Sequence, residues 1–129
     1  MPKIELLFLI DDDADDQHVF AEALSEVDDS ISLLTASNGL DALETLRRAP
    51  SRLPDLIFLD LNMPKMNGKQ FLKEIKSTAQ LSNIPVVIYS TSSARVDREE
   101  TLDFGASDFI VKPNSYGEVR NAIRISLKR

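Results

Sequence analysis

Five short apolar runs, each followed by a longer stretch of helical periodicity, restrict this chain more than any other feature. The runs cover residues 3–10, 31–36, 56–59, 86–89 and 107–111. Leu56-Ile57-Phe58-Leu59 has no polar face at all, and Asp60-Leu61-Asn62-Met63-Pro64 closes it. Runs this short, bounded by turns, suit strands covered on both faces. The intervening stretches repeat apolar residues every three or four positions, which predicts amphipathic helices. The predicted stripes are Val19, Phe20, Ala23 and Leu24 in 14–26, continued by Val27; Leu40, Leu43 and Leu46 in 40–49; and Phe71, Leu72 and Ile75 in 69–77. The polar stretch 94–104 offers only Val96, Leu102 and Phe104, and 116–129 offers Val119, Ile123 and Leu127. Pro50 and Pro54 keep the second helix from running on, and Gly105 stops the fourth. Gly39 is expected to use a positive φ in the turn before the second helix. Strand and helix alternating five times predict an α/β domain, a parallel sheet with helices on both faces joined by right-handed crossovers.

In such sheets ligands bind beyond the carboxyl ends of the strands. Four of the predicted strands carry chemistry there: Asp11-Asp12-Asp13, Asp60, Ser90-Thr91 and Lys112. Carboxylates from separate segments that converge repel one another, by about 4 kcal/mol for two unit charges ~4 Å apart at an effective dielectric of ~20. Lys112 offsets one charge, and a divalent cation would offset the rest. Oxygen ligands alone suit Mg²⁺, which keeps several waters and takes one or two carboxylates plus a phosphate. A site of this kind suits phosphoryl transfer, with Asp60 as carboxylate nucleophile and Lys112 and the metal neutralising the transferred oxygens. A Ser90 hydroxyl would then hydrogen-bond the product phosphate.

Charge and composition remove other classes. A net charge of −6 argues against a nucleic-acid surface. The longest N-terminal apolar run, residues 4–10, is too short to span a bilayer and is not flanked like a signal peptide. The expected protein is soluble and cytoplasmic, with no membrane contact. Without cysteine there is no disulfide framework, thiolate nucleophile or zinc–cysteine site. His18, the one histidine, is expected to be a surface residue.

Together these residues resemble the receiver domain of bacterial two-component response regulators over essentially the whole chain, 1–129. The acidic pair after the first strand, Leu59-Asp60-Leu61-Asn62-Met63-Pro64, Gly68, the hydroxyl residue Ser90 and the dipeptide Lys112-Pro113 match in identity and spacing. The resemblance implies a flavodoxin-like doubly wound sheet of order 2-1-3-4-5. It implies a phosphoprotein: Asp60 as phosphoacceptor, Asp11 and Asp12 as the Mg²⁺-binding pair, and Asn62 giving the metal its backbone carbonyl. Lys112 would pair with the phosphoryl group or, before that, with Asp60. It also implies a cis Lys112–Pro113 bond, and a switch in which Phe109 turns inward as Ser90 moves toward the phosphate. Thr91 stands where many receivers have a smaller residue, and Phe109 replaces the tyrosine of some. The donor would be a sensor histidine kinase or phosphotransfer protein, with a downstream protein as target. Dimerisation, if any, would use the fourth helix, fifth strand and fifth helix. A single-domain regulator without an output domain is expected, similar to the chemotaxis type and to those that partner phytochrome-type kinases. A receiver catalyses only its own phosphorylation and dephosphorylation.

Three other readings compete. A small haloacid-dehalogenase-type phosphohydrolase would use Asp11 in Asp11-Asp12-Asp13 as nucleophile, but it lacks a late acidic pair, since Glu118 is the only acid after Lys112. An EF-hand would use Asp11, Asp13, Asp15 and Glu22, but Asp16 stands where glycine is needed. A receiver-like docking module would never be phosphorylated.

Overall fold

In a computed structural model, which describes residues 3–48 and 52–128, the expected alternation is realised in full. The elements in order are β1 (Leu6–Ile10), α1 (Ala14–Val27), β2 (Ser32–Ala36), α2 (Gly39–Arg48), β3 (Leu56–Leu59), α3 (Gly68–Lys76), β4 (Val86–Ser90), α4 (Arg95–Asp103), β5 (Asp108–Val111) and α5 (Tyr116–Leu127). The strands are all parallel, in the order β2-β1-β3-β4-β5. Ala49, Pro50 and Arg129, on which the expected ends of two helices fell, lie outside the described residues. No described helix is long and apolar enough to cross a membrane.

The period of two along each central strand divides the core. Phe8, Ile10, Ile57, Leu59, Val86 and Ile88 face α2 and α3. Leu7, Leu9, Leu56, Phe58, Val87 and Tyr89 face α1 and α5. On the latter side Phe20, Phe58 and Tyr89 meet edge to face, with centroids 4.9 to 5.7 Å apart. Such pairs add about 0.5–1.5 kcal/mol each beyond burial. Phe71, Leu72, Ile75, Val119 and Ile123 lie inside as their spacing predicts.

Several expected contacts do not form. Val19, Leu40, Val96 and Leu102 are exposed, and the one buried residue of α4 is Thr101, whose hydroxyl bonds the Asp97 carbonyl. The stripes of α1, α2 and α4 are narrower than their apolar content, because each of these helices meets the sheet along only part of its circumference. Gly39 has no positive φ; its need is space, since a Cβ would sit 2.5 Å from the Met66 carbonyl. The left-handed residues of this region are Lys65 and Met66, whose carbonyls accept from the Leu40 and Gly39 N–H groups at the start of α2.

Candidate functional site: an acidic cluster at the carboxyl edge of the sheet

Register builds the site. Ile10 pairs with Leu59, so the next residues, Asp11 and Asp60, leave the sheet side by side, and the Asp60 N–H bonds the Ile10 carbonyl at 2.9 Å. Ser90 pairs with Val111, which brings Lys112 to the same edge. Carboxylate oxygens of Asp11, Asp12 and Asp60 all lie within 4.8 Å of one another. Asp11 and Asp60 are buried and Asp12 is exposed.

The loops hold this geometry. Asp13 caps α1 through the N–H groups of Asp15 and Asp16 and gives its own N–H to Asp11 Oδ1 at 3.0 Å. Gln17 Nε2 donates to the Asp11 carbonyl at 2.6 Å. After β3, Gly68 lies against the chain of Asp60 and Leu61: a Cβ there would stand 2.3 Å from the Asp60 carbonyl oxygen. Asn67 and Gln70 close a capping box that starts α3 at that point.

Burial is the largest influence on both inner carboxylates. It pushes Asp11 up to about 6, against the opposing pull of Lys112 and the Asp13 N–H. It raises Asp60 as well, although Lys112, the Ser90 hydroxyl and the N–H groups of Leu61 and Asn62 all act to lower it. Burial opposes the charge on Lys112 too, but its carboxylate neighbours more than compensate and its pKa is raised. The cluster therefore holds more negative charge than its one ammonium satisfies.

The structure brings Asp11, Asp12, Asp60, Ser90 and Lys112 together and corrects three details. Lys112 Nζ is 2.7 Å from Asp11 Oδ2 and 2.8 Å from Asp16 Oδ2 but 3.7 Å from Asp60 Oδ2, so Asp60 is not its nearest partner. The Lys112–Pro113 peptide is trans, as are all described peptide bonds; trans is the favoured form before proline by about 0.5–1 kcal/mol, and Lys112 reaches the cluster with it. Phe109 is already inward, 5% exposed in the α2–α3 core. A phenyl ring without a hydroxyl has nothing to bind in water. His18 is exposed and pairs with Glu22 at 2.9 Å.

Two features of the site carry no clear signal in the sequence. In the sequence Asp16 stands out only as a misfit to the EF-hand, yet α1 and α5 share one side of the sheet, which sets the first turn of α1 beside the end of β5. Next to the cluster lies an open groove of about 510 Å³, lined by Asp12, Asn62, Met63, Asn67, Lys69 and Asp97 among others. Lys69 Nζ bridges α3 to α4 through Asp97 at 2.6 Å and Glu100 at 3.2 Å, and Ser92 Oγ donates to Asp97 at 2.5 Å.

Three oxygen ligands, two of them buried and undercompensated, fit a hard divalent cation better than they fit one another. Asn62 lines the groove beside them.

Comparison with known proteins agrees with this geometry. Residues 7–124 match the response regulator receiver domain family. The chain is 30% identical over 127 residues, 98% of its length, to the sensor histidine kinase CheAY of Helicobacter pylori, of which it spans 15%. It spans half or less of the length of the curated relatives it matches. Among solved structures it resembles the phosphorylated cyanobacterial phytochrome response regulator RcpA, with 32% identity, a TM-score of 0.88 and coverage of 95% and 91% of the two chains. The Mn²⁺-bound response regulator Rcp1 follows at 27% and 0.84, with 93% and 89% covered. The chain belongs to the response regulator receiver family, whose members are phosphoacceptors that bind Mg²⁺ at an acidic pocket.

Proposed function

We propose that this receiver takes a phosphoryl group onto Asp60 from the phosphohistidine of a sensor kinase or phosphotransfer protein, and signals by a change near Ser90 and Phe109. The observation that carries the reading is the placement of Asp60: a buried carboxylate with raised pKa at the end of β3, grouped with Asp11 and Asp12 and facing Lys112. An Asp60 oxygen attacks phosphorus; the bond to the imidazole nitrogen breaks as the new P–O bond forms, and the imidazole keeps the electron pair. Asp11, Asp12, Asp60 and the Asn62 carbonyl would hold Mg²⁺. When bound, the ion neutralises charge on the transferring oxygens. Lys112 supplies the protein's own cation to those oxygens, and Ser90 gives a hydrogen bond to one of them. Because Phe109 already lies inward, Ser90 would act by holding that arrangement rather than by drawing the ring in.

RcpA and Rcp1 suggest a signalling setting like theirs, with a protein as the target. The exposed side chains of Val96, Leu102 and Val111 on α4 and β5 would serve that contact or a weak homodimer.

Incubation with acetyl phosphate and Mg²⁺, borohydride trapping and peptide mapping tests the proposal. Label on Asp60 that disappears with EDTA is expected. Label on Asp11 would replace the reading with a phosphohydrolase, and absence of label even with a kinase donor would replace it with a docking module. Lys112→Ala is expected to keep the label but lose the surface change; an unaltered change in amide spectra on phosphorylation would count against that role.

A further inference from the structure

Lys112 is held by a carboxylate for which the phosphoacceptor reading has no use. Asp16 Oδ2 stands 2.8 Å from its Nζ, while Asp60 Oδ2 is 3.7 Å away. The packing of α1 fixes this contact. Phe20, Ala23 and Leu24 seat the helix on the sheet face that carries Tyr89, and Lys112 Nζ lies 5.9 Å from the Tyr89 ring centre. The Asp13 cap takes the Asp16 N–H at 3.1 Å and sets the direction of the first turn. The ammonium therefore leans toward α1, between Asp11 and Asp16.

We propose that Asp16 is a positioning residue that anchors Lys112 on the α1 side of the resting site and competes with the phosphoryl group on Asp60 for the same ammonium. This rests on the phosphoacceptor reading and deepens it. To neutralise a phosphoryl oxygen Lys112 has to move toward Asp60, and one of its two close partners has to yield. Asp11 is 1% exposed and would be stranded without a cation, whereas the Asp16 side chain is 40% exposed and can return to water. Asp16 is the partner that lets go. The contact stabilises the unphosphorylated state selectively, so it sets how readily the site is occupied.

Binding of beryllofluoride, a tetrahedral phosphoryl mimic, to the full chain in Mg²⁺ tests the competition by titration. Asp16→Asn, which keeps shape and removes charge, is expected to bind the mimic about fivefold tighter than wild type. Asp16→Ala should change affinity in the same direction, and Asp16→Glu should restore wild-type affinity. Asp15→Asn removes an equal charge one residue away from a side chain that makes no ion pair with Lys112, and should stay within about twofold of wild type. Unchanged or weaker binding by both Asp16→Asn and Asp16→Ala would overturn the inference, and so would an equal gain in Asp15→Asn, which would mean a diffuse field rather than an anchor. Failure of the wild type to bind the mimic at Asp60 would overturn the phosphoacceptor reading and this inference with it. Wild-type binding with unresponsive variants would overturn this inference alone.

Discussion

Asp55 and Asp60 bracket the same four-residue strand, β3, and have opposite environments. Asp55 Oδ2 accepts from the Glu5 and Leu6 N–H groups at 2.9 and 3.0 Å and from Arg52 Nη2 at 2.7 Å. Burial works against its charge, but those donors more than offset it, and its pKa is lowered. Asp60 has donors as well, yet burial beside Asp11 outweighs them and its pKa is raised. One carboxylate stitches the amino edge of the sheet together. The other is left in want of a cation at the edge where chemistry occurs. The contrast teaches that local strand sequence decides little here: what matters is which segments the parallel topology sets beside each end. At the amino edge it brings the Glu5 and Leu6 N–H groups, which join the nearby Arg52; at the carboxyl edge it brings further acids and one lysine.

The sharpest break between the two is chemical. Asp60→Asn is expected to abolish labelling by acetyl phosphate, while Asp55→Asn labels as wild type under conditions where it remains folded; intact-mass analysis distinguishes them. Next comes the metal. Saturating Mg²⁺ should raise the melting temperature of wild type by an amount that corresponds to about 2–3 kcal/mol at a hundredfold excess over Kd. The rise should be lost in Asp12→Asn and kept in Asp55→Asn, as scanning calorimetry would show.

The pH response in EDTA should have opposite signs at the two edges. Asp55, with its lowered pKa, contributes stability that is present above the ordinary aspartate value of 3.8 and fades as pH falls through its folded value. Asp11 favours the fold when protonated, so its contribution is full below 3.8 and is lost as pH rises through about 6. That loss is on the order of 1–3 kcal/mol. Between about pH 4 and 7 in EDTA, urea midpoints should fall less in Asp11→Asn than in wild type. Smallest of all, Lys69→Ala breaks half-exposed pairs with Asp97 and Glu100 and should cost about 1 kcal/mol or less, with labelling of Asp60 intact.

The fold was legible because four of its strands are nearly uniform apolar runs and each ends on a residue of distinct chemistry. Asp11, Asp60, Ser90 and Lys112 could be placed at one edge from topology alone, and the structure has them there. Side-chain partners were not legible. Whether Lys112 leans on Asp60 or Asp16 depends on a difference of about an ångström, set by the cap and packing of α1. Gly39 and Gly68 were visible as glycines, but the need for them lies in close approach to Met66 and Asp60, which belong to other segments. Apolar content also misled: Val96 and Leu102 of α4 are exposed because that helix meets the sheet with little more than Thr101.

The most direct test is the urea stability of Asp55→Asn and Asp60→Asn side by side, at neutral pH in EDTA. Asp55→Asn is expected to be less stable than wild type by about 1–2 kcal/mol, because it weakens a partly buried acceptor of two N–H groups and an arginine. Asp60→Asn is expected to be more stable than wild type, because it removes a charge that the fold alone does not satisfy. If Asp60→Asn proves as destabilising as Asp55→Asn, the carboxyl edge is as well compensated as the amino edge, and the account is wrong.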